Sequence, residues 1–132
     1  MDLYLPQQLQ HYINSELASA AHYRAMAEIA PGEKEKQLFL ELADNDQKHA
    51  EMFKEIHQQM AGQYYEPPEY QAKLESPYQI MLRQMLSSEN TAFQEYHSQY
   101  LKNPNLAVKS TCHKVSANKS EHINKLMAIM VD

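Results

Sequence analysis

Breakers are scarce inside the long segments of this chain. Its two glycines, Gly32 and Gly62, and six prolines, Pro6, Pro31, Pro67, Pro68, Pro77 and Pro104, all sit at segment edges. Four long stretches between them are left free to be helical. The single cysteine, Cys112, excludes an internal disulfide and any iron site built from four cysteines. It reads as a small apolar packing residue. A net charge of -5 offers no basic surface for nucleic acid, and no run approaches the roughly 18 apolar residues of a membrane span. Met1-Asp2-Leu3-Tyr4 has no basic stretch leading into an apolar core, so the expectation is a cytoplasmic protein without a secretory signal. At 132 residues the chain can bury one core, and we expect a single domain over 1–132.

What is present is an internal repeat. An offset of 73 positions brings Glu16 onto Glu89, Tyr23 onto Tyr96, Asn45 onto Asn118 and His49 onto His122. Asp46 breaks the pattern by landing on Lys119. The chain therefore reads as two copies of one helical hairpin, about 6–61 and 76–131. The first helix is expected from about Pro6 to Ala30 and the second from about Glu33 to Ala61, where Gly62 stops it. Ser76-Pro77 and Asn103-Pro104 each supply a cap followed by a proline in the first helical turn, which starts helices three and four.

The segment between the hairpins, Gln63 to Glu75, is polar and proline-bearing. A helix of about 28 residues is roughly 42 Å long, and about 13 extended residues reach roughly 43 to 47 Å. The segment can just run the length of the bundle. That permits an all-α, ferritin-like four-helix bundle with a long crossover between helices 2 and 3.

The apolar stripes show which polar residues point inward. Helix two reads Phe39, Leu42, Asp46, His49, Phe53, Ile56, Met60, and helix four reads Val108, Cys112, Val115, Lys119, His122, Leu126, Ile129. Helix one gives Leu9, Tyr12, Ile13, Glu16, Ala20, Tyr23, and helix three gives Leu82, Met85, Leu86, Glu89, Phe93, Tyr96. Taken singly, a core histidine or tyrosine is ordinary scaffolding, and Met26, Met52, Met60 and Met85 are core filler. Taken together, six ionisable residues at one level of four stripes must satisfy one another or a bound cation, because an unpaired buried ion costs several kcal/mol. Glu41, Glu51, Glu95 and Glu121 fall off the stripes and read as solvated surface.

On these residues the chain resembles a ferritin-like domain of the rubrerythrin kind, without a rubredoxin module. In that family a glutamate from each of helices one and three, with a Glu-x-x-His pair from each of helices two and four, holds two irons. The resemblance implies metal ligation by Glu16, Asp46, His49, Glu89 and His122, and makes Tyr23 and Tyr96 tyrosines that hydrogen-bond ligand carboxylates. Three departures matter. Asp46 is one methylene shorter than the family's glutamate. Ala92 stands where rubrerythrins carry a further glutamate, which weakens a peroxide-specific reading. Lys119 occupies a bridging position, and a protonated ammonium cannot ligate a cation.

Charge counting gives the consequence. Glu16, Asp46 and Glu89 with a protonated Lys119 leave two negative charges, which one divalent ion neutralises; the expectation is one iron or manganese per chain, held mainly by Glu16, Asp46 and His49, with Glu89 and His122 as further ligands. A metal-free cluster also balances if His49 and His122 are both protonated, which is harder to sustain above a pKa of about 6.5. A third option is a Lys119 amine neutral enough to ligate. Two functions follow: a metal-binding protein acting on oxygen or peroxide, and a metal-free structural, stress-associated or coat-associated interaction protein. A homodimer is the expected assembly, through a surface involving Tyr4, Tyr12, Tyr64, Tyr65 and Tyr70; the alternative is that these tyrosines cover the bundle's own crossover side.

Overall fold

The computed structural model describes residues 5–130, and the leader reading at Met1 to Tyr4 lies outside them. Four helices follow in order: α1 (Leu5–Ile29), α2 (Glu33–Ala61), α3 (Tyr78–Lys102) and α4 (Leu106–Met130). No strand occurs among the described residues. The breaks fall where the sequence has its breakers. Gly62 adopts φ 72, a left-handed conformation that an L side chain resists, and its N–H closes α2 on the carbonyl of Gln58 at 2.9 Å. Glu33 and Glu35 place negative charge in the first turn of α2, where the helix dipole favours it.

Two starts differ from expectation. Pro77, rather than Ser76, is the residue flanking α3, and it adds no side-chain cap. At α4 the cap is Asn105: its Oδ1 accepts from the Val108 N–H at 3.0 Å and its carbonyl takes the Lys109 N–H. Asn103 instead closes α3 and turns its own Oδ1 to the Asn105 N–H. Two asparagines in a three-residue connection divide the stop and the start, and spacing alone does not say which takes which.

The interior has three layers. At one end Tyr23, Met26, Phe39, Leu42, Met81, Leu82, Met85 and Leu126 form an apolar cluster. At the other, Leu9, Tyr12, Ile13, Phe53, Tyr96, Val108, Cys112 and Val115 form a second. Glu16, Asp46, His49, Glu89, Lys119 and His122 are buried between them. The stripes follow the expected ones except at their edges. Leu86, Phe93 and Ile129 are half-buried, and Met60, expected inside, is 37% exposed in the last turn of α2.

The layers also fix direction. Tyr65 packs on the second cluster and donates to Asn14 at 2.9 Å, whereas Leu74 packs on the first. The extended segment therefore returns along the bundle, and α3 starts at the end opposite to where α2 finished. That is the one-crossover, ferritin-like bundle expected. Tyr12 lies in the core, and Tyr65 is half-buried with its hydroxyl on Asn14. Among the described residues no helix is long and apolar enough to cross a membrane.

Candidate metal centre

All six inward ionisable residues converge. Lys119 Nζ lies 3.1 Å from Glu16 Oε1, 3.0 Å from Asp46 Oδ1 and 3.4 Å from Glu89 Oε1. One ammonium from α4 thus bridges carboxylates from the other three helices. His49 Nδ1 is 2.8 Å from Glu16 Oε1 and 3.5 Å from Asp46 Oδ1. His122 Nδ1 is 2.9 Å from Glu89 Oε2 and 3.8 Å from Asp46 Oδ1. Two buried groups emerge that could each hold an ion, Glu16–Asp46–His49 and Asp46–Glu89–His122, sharing Asp46.

The electrostatics follow from burial and partners. Burial alone would push the Lys119 ammonium toward neutrality, but Glu16, Asp46 and Glu89 reverse this and hold its pKa above the ordinary lysine value. In the metal-free cluster these carboxylates favour the charged form of this nitrogen over a neutral, ligating amine. Burial would raise Asp46, yet the neighbouring Lys119 charge outweighs it and, with contacts from His49, His122 and Ser19, holds the carboxyl well below its usual range. Burial favours neutral His49 as well, but contacts to Asp46 and Glu16 leave its pKa raised.

The two tyrosines differ. Tyr96 Oη donates to Glu16 Oε2 at 2.9 Å, as the resemblance implies. Tyr23, its counterpart, is buried with a hydroxyl that has no hydrogen-bond partner, although burial and the charges of Glu89 and Asp46 raise its pKa. Glu89 nevertheless lies close enough to act on this hydroxyl, so the tyrosine–carboxylate contact on that side is looser than the bond that Tyr96 makes to Glu16. The Tyr23 ring packs edge-on to His122 and stacks with Phe39.

Three residues complete the cluster that the apolar stripes did not single out. Ser19 Oγ donates to Asp46 Oδ2 at 2.6 Å. Three residues after Glu16, it lies on the same helical face, and that spacing is the signal that could have found it. Asn118 Nδ2 lies 2.9 Å from His49 Nε2, and Asn45 Nδ2 lies 3.3 Å from His122 Nε2. Each asparagine belongs to the opposite hairpin from its histidine. The repeat already paired them without giving them a task. With the amide nitrogen facing Nε2, that ring nitrogen accepts, and Nδ1 carries the proton donated to the glutamate. Turned over, the same amide accepts from Nε2–H, the state an imidazole needs when Nδ1 binds an ion.

The fold and the paired carboxylate–histidine groups are those of one family, and the sequence model for Rubrerythrin matches residues 8–130. The chain belongs to the Rubrerythrin family. Among curated proteins none gives a significant match. Within the family's scaffold this member carries two candidate metal-binding groups, with the Lys119 ammonium 3.0 Å from the Asp46 that they share.

Proposed function

We propose that the chain binds a single divalent ion, iron or manganese, through Glu16, Asp46, His49, Glu89 and His122, with the Lys119 ammonium standing in for a second ion. The observation behind this reading is the ammonium within 3.0 to 3.4 Å of three buried carboxylates. With neutral imidazoles, Glu16, Asp46, Glu89 and Lys119 sum to two negative charges, which one divalent ion neutralises.

The donor set fits one ion. Ligand atoms about 2.0–2.2 Å from a first-row metal lie about 3 Å from one another around it. The 2.8 Å separation of His49 Nδ1 from Glu16 Oε1 and the 2.9 Å separation of His122 Nδ1 from Glu89 Oε2 are of that size. The two sides are not equivalent. Glu16 Oε1 is shared between His49 and Lys119, whereas Glu89 meets Lys119 with Oε1 and His122 with Oε2. The Asp46–Glu89–His122 group therefore has the freer pair of donors and is the better seat for the ion.

When bound, iron or manganese would supply one-electron chemistry toward oxygen or peroxide, and we assign the chain to that reaction class. The protein would contribute orientation and shielding. Tyr96 and Ser19 fix the free oxygens of Glu16 and Asp46, Asn45 and Asn118 aim both Nδ1 atoms inward, and the apolar layers exclude water along the bundle axis.

A second reading has its own support: each carboxylate already has at least two donors without any metal. On that reading the cluster is a structural replacement for the metal, in an interaction protein. Metal analysis of chains grown with iron and with manganese separates the two. One ion per chain is expected. None after anaerobic iron loading supports the replacement. In a Lys119→Glu variant the restored carboxylate is expected to raise the capacity toward two ions; an unchanged stoichiometry there means that lysine does not limit the site.

A further inference from the structure

The cluster is closed on one side and open on the other. α1 packs on α2, α3 on α4 and α2 on α4, whereas α1 and α3 meet through a few long side chains. Between them lies a cavity of about 590 Å³. Glu16, Glu89 and Lys119 reach its floor, whereas Asp46 and both histidines do not line it. The opposite side is covered by Asn45 and Asn118, each lying against an imidazole.

Small residues keep this gap open. Ser15, Ala18 and Ser19 face it from α1, and Ser88, Thr91 and Ala92 from α3. Ala92 is half-buried on this wall, and its methyl leaves space that a longer side chain would fill. At its rim His11 Nε2 lies 3.3 Å from Glu95 Oε1, an exposed contact that bridges the two helices. Tyr96 makes the buried crossing beneath it, to Glu16.

We propose that the α1–α3 gap is the port through which a divalent cation reaches the buried cluster; this rests on the metal-binding reading. The wall chemistry selects the sign of the visitor. With the lining imidazoles of His11 and His22 neutral, Glu95 at the rim and Glu16 and Glu89 on the floor outnumber Lys119, so the passage is net negative and repels anions. Serine and threonine hydroxyls between rim and floor offer oxygen acceptors that replace the hydration shell step by step as the ion descends. An arriving ion meets carboxylate oxygens first and imidazole nitrogens second.

The test needs a removable obstruction in an already folded protein. Ser88 is exposed on the α3 wall, and Cys112 is fully buried with its thiol pushed up to about 12 by burial and Glu95, so Ser88→Cys supplies the one reactive thiol among the described residues. Metal-depleted protein is tagged there with a methyl or a bulky aromatic methanethiosulfonate, and uptake of Co²⁺ is followed by absorbance. The bulky tag is expected to slow uptake at least tenfold, the methyl tag less than twofold, and reductive removal followed by desalting to restore the rate. The final stoichiometry stays unchanged. Ser15→Cys on the facing wall repeats the block, and Ser110→Cys on α4, outside the cavity, is the unaffected control. Equal rates with and without the bulky tags at both walls, at equal final loading, overturn the port while leaving metal binding intact. Failure of the untagged protein to take up any Co²⁺ overturns both, and the untagged control distinguishes the two cases.

Discussion

The two hairpins carry the same residues in the same register and satisfy them differently. In the first, Glu16 accepts from His49, Lys119 and Tyr96, and Asp46 accepts from Lys119 and Ser19. In the second, Glu89 accepts from His122 and Lys119, the hydroxyl of Tyr23 lies beside it without a well-formed bond, and the counterpart of Ser19 is Ala92. One half is saturated and the other has donors to spare. Residues in one register thus end in unequal surroundings, with the Lys119 ammonium reaching carboxylates of both hairpins.

The sharpest way to break this comparison is to remove that ammonium. In metal-depleted protein, Lys119→Met leaves three buried carboxylates without a counter-charge, and a loss of about 3–5 kcal/mol in urea unfolding is expected. Asp46→Asn removes one negative charge while leaving the ammonium two partners, so its cost should be clearly smaller. Equal costs would mean that the lysine and the aspartate are interchangeable members of a neutral network.

The tyrosines sharpen the contrast at a smaller scale. Tyr96→Phe removes a hydrogen bond to a carboxylate and should cost about 1.5–3 kcal/mol. Tyr23→Phe removes a buried hydroxyl that only neighbours Glu89 and should cost clearly less than Tyr96→Phe by thermal unfolding. A cost for Tyr23→Phe matching that of Tyr96→Phe would show that both halves bond their tyrosines in solution.

The smallest expected effect is the pH dependence. Asp46 is depressed in the folded state, so its contribution is present above about 4 and is lost as pH falls through its folded value. His49 is raised, so its contribution is complete below about 6.5 and is lost as pH rises through its folded value. From these two groups the metal-free protein should melt highest between about pH 4.5 and 6.5. Metal loading should move that optimum upward, because a ligating imidazole must shed its proton. The same melting profile in loaded and depleted protein would argue against ligation by histidine.

The sequence disclosed the fold through its breakers and the site through its repeat. Glycine and proline leave few choices for where helices stop, and a residue of wrong polarity on an apolar stripe has nowhere to go but inward. What stayed hidden was set by distances between helices. Whether Tyr23 reaches Glu89 depends on fractions of an ångström across the bundle, and the gap beside Ala92 depends on how far apart α1 and α3 settle. Asn45 and Asn118 were visible as a matched pair, but their crossing to the opposite histidines is a property of the assembled hairpins. Met60 sat on the right stripe and still faces solvent, because the last turn of α2 runs past the end of the core.

Sandwiching a charged stratum between two greasy ones has a mechanical corollary. Sliding any helix by a single turn, about 5.4 Å, would drive Lys119 or a carboxylate into Phe53, Val115 or Leu42 and strip it of every partner. The stratum acts as an alignment key that admits one vertical setting of the four rods, with or without an ion in the lock.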